Sequence, residues 1–332
     1  MSVVYIREQN AVIRKKGELL RVTAEENELF TIPLANLEQL VVMGNVQLTT
    51  PAAILLLREG VDVVFMSRYG KYLGRLLAME SKFAELRHAQ LRLCDDEWQC
   101  LQVAAQIVAG KVNNQRVVLQ RRASEDTRAV QALDGMMQML KMAGQSGTLD
   151  QLRGYEGKAA AYYFDGIKTF FAPEWGFKTR KYYPPPDPAN ALLSFAYTLL
   201  LKDVEAKIQL VGLDPYLGFF HTLGYNRPAL ALDVMEEFRP TISDIVVLNL
   251  VRGEQITLDD FERTNDPDRP VRMSREAVDK VVAAYEQRLE DRVFHPLANG
   301  QTNYRRAIEL QVRLMARVVR QEAEFYEPLV MR

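Results

Sequence analysis

Three short stretches of the chain hold side chains able to bind a cation or move a proton, and in the first the neighbours argue for an inward position. In Leu152-Arg153-Gly154-Tyr155-Glu156-Gly157-Lys158-Ala159, helical spacing gathers Leu152, Tyr155, Ala159 and Tyr163 into an apolar stripe with Glu156 beside it. The flanking Gly154 and Gly157 cost about 1 kcal/mol each within a helix and predict close approach by another backbone. The competing reading is a surface glutamate neutralised by Arg153 or Lys158. Histidine occurs only 3 times. His88 falls in a charged helical run and His295 precedes Pro296 in a loop-like stretch, whereas His221 follows the aromatic, glycine-bearing run at 212–220. It reads either as a ligand or as a buried imidazole bonded to backbone. Asp233 and Glu236 lie one helical turn apart before Arg239-Pro240. Such a pair holds a divalent cation or forms a solvated acidic helix end, and spacing alone leaves Glu237 open as a further acid.

Two or three carboxylates with one imidazole make a hard, oxygen-rich donor set, suited to Mg²⁺ or Mn²⁺ rather than zinc. A cation held there would act on phosphate, polarising a phosphodiester and helping to deprotonate a hydroxyl or water nucleophile. The sequence offers no P-loop, dinucleotide fingerprint or nucleophile elbow to compete with this chemistry. The 2 cysteines, Cys94 and Cys100, do not have the spacing of a metal knuckle or redox pair. Met136, Met137, Met139 and Met142 read as core filling on a helix.

The elements that must position these residues fall into two kinds. Up to about Ser81, short β-rich runs at 3–6, 11–15, 18–22, 29–33, 39–43, 61–66 and 72–77 alternate with turn residues. They predict a small antiparallel sheet, with one helix at 52–59 started by Thr50-Pro51 and stopped by Gly60. From Phe83 onward long Ala-, Leu-, Gln- and Arg-rich segments predict helices, including 189–207 after Pro184-Pro185-Pro186-Asp187-Pro188, then 274–288 and 302–324. The expected fold is α+β: a small β-rich N-terminal domain over residues 1–82, then a larger all-α C-terminal domain over 83–332 carrying the site.

Composition narrows the class. With 332 residues and 48% hydrophobic content, the chain can bury a large core, and disorder is excluded. No apolar run reaches the ~20 residues of a membrane span, and the first residues lack a signal-like pattern, so a cytoplasmic protein is expected. The 42 basic and 43 acidic residues leave no global positive charge. Nucleic-acid binding would therefore use local clusters: Lys111, Arg116, Arg121 and Arg122; Lys178, Arg180 and Lys181; or Arg306, Arg313, Arg317 and Arg320. Each cluster also reads as a solvated face balanced by acids such as Glu309, Glu322 and Glu324. Tyr182 and Tyr183 are able to stack on a base or to pack under the proline loop.

These stretches, in this order, resemble the CRISPR-associated integrase and endonuclease family of spacer acquisition, the first in the numbered series of CRISPR-associated proteins. The resemblance rests on Arg153-Gly154-Tyr155-Glu156-Gly157, the proline loop continuing to Phe195, the run from Gly212 to His221, and Leu232 to Pro240. Lys111-Val112-Asn113-Asn114-Gln115 and the β-rich start extend it over nearly the whole chain. It implies that Glu156, His221 and Glu236 are catalytic metal ligands for Mg²⁺ or Mn²⁺, with Asp233 an auxiliary carboxylate. The last ligand is an aspartate in some members, so Glu236 would put a longer arm on the metal. The resemblance also implies a homodimer formed through the N-terminal domains and a small ferredoxin-like partner, the second CRISPR-associated protein. Its reaction is insertion of protospacer DNA into a CRISPR array, a 3′-hydroxyl attacking a phosphodiester at the edge of a repeat. The readings that compete with it are a non-catalytic helical scaffold for double-stranded DNA and a hydrolase of small phosphoesters.

Overall fold

The computed structural model describes residues 2–25, 27–35, 37–68, 72–76, 83–122 and 127–331, and divides into units Met1–Ser81 and Lys82–Arg332. In the first unit, β1 (Ser2–Ile6), β5 (Leu37–Met43), β7 (Asp62–Met66) and β8 (Tyr72–Leu76) form one sheet in the order β1-β5-β7-β8. A second sheet has the order β4-β3-β2-β6, from β2 (Val12–Lys16), β3 (Leu19–Ala24), β4 (Asn27–Pro33) and β6 (Gln47–Leu48). Helix α1 (Thr50–Arg58) starts behind an extended Thr49 with Pro51 in its first turn, and Gly60 follows it at φ 70°. Ile6, Ile13, Leu20, Leu40, Leu55, Leu56 and Val63 join the two sheets and the helix in one apolar core.

The expected antiparallel sheet is only partly what forms, because β1, β5 and β7 run parallel. The physical reason is the helix: a chain that passes through α1 between β5 and β7 returns to the same end of the sheet. The β2–β3–β4 meander and the β7–β8 pair keep the antiparallel pattern.

The second unit is mainly helical: α2 (Ala84–Cys94), α3 (Glu97–Arg122), α4 (Thr127–Ala143), α5 (Leu149–Ile167), α6 (Pro188–Val211), α7 (Ala229–Met235), α8 (Ile245–Arg252), α9 (Arg275–Glu290) and α10 (Tyr304–Val319). It is not all-α as the sequence suggested. Two antiparallel ribbons interrupt it, β9 (Phe261–Arg263) with β10 (Val271–Met273), and β11 (Arg292–His295) with β12 (Gly300–Asn303). Both close over punctuated sequence: Pro267 and Pro270 lie within the first, and Pro296 with Asn299, at φ 52°, turns the second. The expected helix from 302 accordingly starts only after β12, capped by the Asn303 side chain, which accepts from the Arg306 amide.

Helix α6 runs through the core of this unit. Asp187 caps it by accepting from the Asn190 amide at 2.9 Å, Pro188 fills the first turn, and Gly212 ends it at φ 100°. Its buried face includes Lys202, Asp203, Glu205 and Lys207, so charge must be satisfied inside the fold. Lys202 reaches Glu205 at 2.8 Å, and the Tyr285 hydroxyl on α9 donates to Asp203 at 2.5 Å.

Burial, reinforced by Glu286 and opposed by Arg305 and Tyr285, pushes the Asp203 carboxyl up from 3.8 to about 6. The folded state therefore binds this proton more tightly than the unfolded chain. That contribution to stability is complete below the unfolded value of 3.8 and is lost as pH rises through 6. Asp203→Asn is expected to remove this dependence, flattening the fall in melting temperature between about pH 4 and 7, an effect of at most about 3 kcal/mol. Thermal melts of both proteins across that range check it; parallel profiles would show that Asp203 does not titrate with folding.

Candidate metal centre

Glu156 projects from the middle of α5, a helix begun by Thr148, whose hydroxyl accepts from the Gln151 amide at 3.3 Å. Three residues earlier, Arg153 donates from Nε and a terminal nitrogen to the carbonyl of Phe220, at 3.1 and 2.9 Å. Arg153 thus fixes the loop carrying His221 to the helix carrying Glu156. A second clamp comes from α2. There the fully buried Gln90 donates to the carbonyls of Asp214 and Leu217, at 2.8 and 2.7 Å, and accepts from the Asp214 amide at 2.8 Å.

Asp233, on α7, is fully buried, and its carboxylate accepts from the amides of Phe219, Phe220 and His221, at 2.6, 3.0 and 2.9 Å. It also lies 2.7 Å from His221 Nδ1. With three amides donating to it the carboxylate acts as an acceptor, so Nδ1 carries a hydrogen and Nε2 is the ring nitrogen left free of Asp233. Nε2 faces Glu236 Oε1 at 3.6 Å. That gap suits either a hydrogen carried by Nε2 or a cation held between the two atoms. Asp233, expected as an auxiliary carboxylate, lies beside His221 and orients its imidazole, as carboxylates do for metal-binding histidines.

Glu236 caps the end of α7 and is 1% exposed. Burial alone would raise its carboxyl, but Arg239, Lys111 and His221 outweigh it and hold the group at about 2. Arg239 contributes an ion pair at 3.1 Å to Oε1 and lies over the Tyr197 ring, 5.1 Å from its centroid. Tyr197 and Tyr163 in turn donate to the two oxygens of buried Asp244, at 2.6 and 2.7 Å. Arg239 opens the π-helical turn Arg239–Asp244, so this turn aims it back at Glu236.

Lys111 on α3 closes the site. Its Nζ stands 2.5 Å from Glu156 Oε1 and 2.6 Å from Glu236 Oε2, bridging the two acids. Burial would lower this ammonium, yet Glu156 and Glu236 raise it above its ordinary value. The bond to Glu156 is directed, whereas the buried Glu236 Oε2 has no well-aimed donor. Among the described residues, no three His, Cys, Asp or Glu side chains stand ready to hold a metal. The residues nonetheless fit one: a positive charge already stands between Glu156 and Glu236, His221 Nε2 faces the other oxygen of Glu236, and the buried Glu236 Oε2 lacks a directed partner.

Several sequence expectations change. Lys111, read as a phosphate contact, is buried between the two glutamates. Glu156 is neutralised by Lys111, not by Arg153, and the space beside Gly154 and Gly157 is open instead of filled by another backbone. Glu237, which spacing left open, turns away to Tyr326 and Gln311. Arg180 is held by Asn190, Ser194 and the ring of Tyr197, so it supports the proline loop. Arg116 is half-buried against Met137. Lys178, Lys181, Arg306, Arg313 and Arg317 are exposed, with Arg306 and Arg313 both paired to Glu309. Tyr182 and Tyr183 are exposed on the proline loop, at 69% and 59%. Sequence reasoning missed Arg239 and Gln90. Arg239 had a signal in its spacing of one turn from Glu236, while Gln90 had none, because its partners are backbone atoms far along the chain.

The sequence profile of the family described as CRISPR associated protein Cas1 matches residues 4–287. The CRISPR-associated endonuclease Cas1 3 of Thermus thermophilus is 36% identical over 334 residues, covering 100% of this chain and 98% of that protein. A chain of a solved Cas6-RT-Cas1–Cas2 complex superposes with a TM-score of 0.86 at 24% identity, over 98% of this chain and 36% of that one. A casposase bound to integration product gives 0.84 at 21% identity, over 100% of this chain and 95% of that one. With the profile spanning most of its length and a full-length relative at 36% identity, this chain belongs to the Cas1 family.

Proposed function

We propose that the protein is a divalent-metal-dependent DNA endonuclease and integrase that inserts protospacer DNA into a CRISPR array, with Glu156, His221 and Glu236 as its catalytic metal ligands. The observation that supports this reading is a buried Glu236, at the end of α7, that shares a lysine ammonium with Glu156 of α5 and faces His221 Nε2 of the loop after α6. Mg²⁺ or Mn²⁺ bound there would polarise the scissile phosphodiester and neutralise charge developing on it. The chain's own residues do the remainder. Asp233 holds His221 in the tautomer that offers Nε2, Arg153 and Gln90 keep its loop in place, and Arg239 supplies a fixed positive charge beside Glu236.

Open surface leads to the site. Gly154 and Gly157 are exposed on α5 on either side of Glu156, and a Cβ at either would meet nothing within 4 Å. That bare helix face lets a sugar-phosphate backbone come close to Glu156. Exposed Lys178, Lys181 and Arg317 are the phosphate contacts we assign to double-stranded DNA, protospacer or repeat. The relative in the Cas6-RT-Cas1–Cas2 complex works beside Cas2, and a small ferredoxin-like partner of that kind is proposed for this protein, acting in the cytoplasm with the array. No helix among the described residues is long and apolar enough to cross a membrane.

A homodimer is proposed through the first unit. Strand β4 is an edge, and it exposes Leu29 and Phe30 by 43% and 40%. An unpaired edge with large apolar side chains calls for a partner surface, and self-association through it would be symmetric. A second reading, a DNA-binding scaffold without catalysis, is favoured by one observation: Lys111 already neutralises both glutamates.

The deciding experiment pairs gel shifts with integration and cleavage assays, with and without Mn²⁺. Glu156→Ala is expected to lose strand transfer and cleavage by at least ~100-fold, since even outer partners of a metal cost 10–100-fold. Its affinity for duplex DNA should stay within about threefold, because affinity depends on the number of phosphates neutralised. Robust strand transfer by folded Glu156→Ala would remove this residue from the active site, and metal-independent tight binding by inactive wild type would select the scaffold. At Gly157 stability and activity should part: Gly157→Ala is expected to stabilise by about 1 kcal/mol through helix propensity. Gly157→Leu should fold equally well yet lose integration by obstructing the approach to Glu156; full activity of that variant would show that DNA does not use this face. Finally, sedimentation of wild type at micromolar concentration should give a dimer, and Leu29→Lys with Phe30→Lys should give a monomer; an unchanged dimer would rule out the β4 edge.

A further inference from the structure

The segment after α10 supplies none of the proposed ligands, yet it is held by polar bonds as buried as those of the site. Phe325 is 57% exposed, whereas Tyr326 and Leu329 are 1% and 6% exposed. The Tyr326 hydroxyl and the Leu329 amide donate to the two oxygens of Glu237, each at 2.5 Å. Gln311 on α10 donates to the same carboxylate at 3.0 Å and to the carbonyl of Glu327 at 3.1 Å. Asn114 on α3 donates to the carbonyls of Glu237 and Leu329, both at 2.8 Å, and its side-chain oxygen accepts from the Met331 amide at 2.8 Å. Pro328 sits against Gly110, where a Cβ on α3 would collide with its ring.

These bonds have a common geometry. Gly110 and Asn114 bracket Lys111 on α3, and Glu237 directly follows Glu236. Residues 326–331 therefore hold the α3 turn carrying Lys111 and the chain carrying Glu236 through contacts other than their ion pair. We infer that residues 326–331 form a positioning strap for the metal centre, setting the separation between α3 and the end of α7. The inference rests on the reading of Glu236 as a ligand only for its consequence in metal binding; the mechanical coupling is independent of it. Ligand placement within tenths of an ångström governs affinity for a cation, so loosening the strap should weaken metal binding without removing any ligand. Tyr326, Leu329, Gln311 and Asn114 act through Glu237 and α3, and none is a catalytic residue.

The test uses the full chain with two ways of loosening the strap. Leu329→Pro deletes the amide that donates to Glu237, with Leu329→Ala as the control that keeps it. Gly110→Ala crowds Pro328 while leaving every polar partner in place. Amide hydrogen exchange is read over residues 108–114 and 233–238, and Mn²⁺ affinity is read by calorimetry. Leu329→Pro and Gly110→Ala should speed exchange in both stretches at least about tenfold, with α9 unchanged, and weaken Mn²⁺ binding about tenfold. Leu329→Ala should stay within about threefold of wild type on both. Wild-type exchange at 233–238 in both loosened variants overturns the strap, whatever the metal does. Faster exchange with unchanged Mn²⁺ affinity overturns its role at the metal centre. If wild type binds no Mn²⁺ while the exchange responds as expected, the functional reading fails and the coupling stands.

Discussion

Two carboxylates with an ammonium between them set the terms for the whole helical unit. Glu156 and Glu236 are brought within reach of a single Lys111 nitrogen, in a place from which water is largely excluded. At a separation of roughly 5 Å and an effective dielectric near 20, two such anions repel by about 3 kcal/mol, before any cost of desolvation. Without a cation between them the fold would have to protonate one acid or push the helices apart. Lys111 resolves the conflict from within the chain, and Arg239 adds a second charge at Glu236, which explains why that carboxyl stays low although burial opposes it.

Such a centre needs supports that do not yield, and these are backbone-directed hydrogen bonds. Asp233 ties three consecutive amides and one imidazole nitrogen to α7. Arg153 and Gln90 hold the same loop by its carbonyls, from α5 and α2. Asp244, gripped by two tyrosine hydroxyls, keeps Tyr197 under Arg239. Side chains that bind backbone fix where a loop runs, independently of what the loop's own side chains are doing. That separation leaves His221 Nε2 turned toward Glu236 and leaves Glu236 and Glu156 sharing the Lys111 ammonium.

Periodicity made much of this legible in the sequence. Alternation marked the strands of the first unit, Asp187-Pro188 marked the start of α6, which runs past the expected 207 to Val211, and the spacing of Asp233 and Glu236 put both on one face. What it did not reveal depends on contacts between distant segments. Parallel pairing of β5 with β7 follows from the path through α1, β1 meets β5 only after the β2–β3–β4 meander, and the two ribbons of the second unit are too short for alternation to register. Lys111 was misread for a related reason: beside Arg116, Arg121 and Arg122 it looks like part of a basic face. Only the packing of α3 against α5 and the end of α7 turns it inward. Likewise the glycines around Glu156 signal a need for space, but sequence does not say whether that space is filled by protein or left open.

The same electrostatics bears on how the centre would exchange its cation. A lysine ammonium carries one charge on a flexible four-carbon stem, whereas a divalent ion brings two and accepts several oxygen and nitrogen donors at once. The surrounding acids would therefore be better neutralised by the ion, and a lysine stem has the length to withdraw its ammonium while Asp233, Gln90 and Arg153 hold the His221 loop through backbone. Displacement of the ammonium would leave its positive charge beside the centre instead of within it. A charge in that position would still face Glu156 and Glu236 and would add to the positive field that Arg239 supplies beside Glu236.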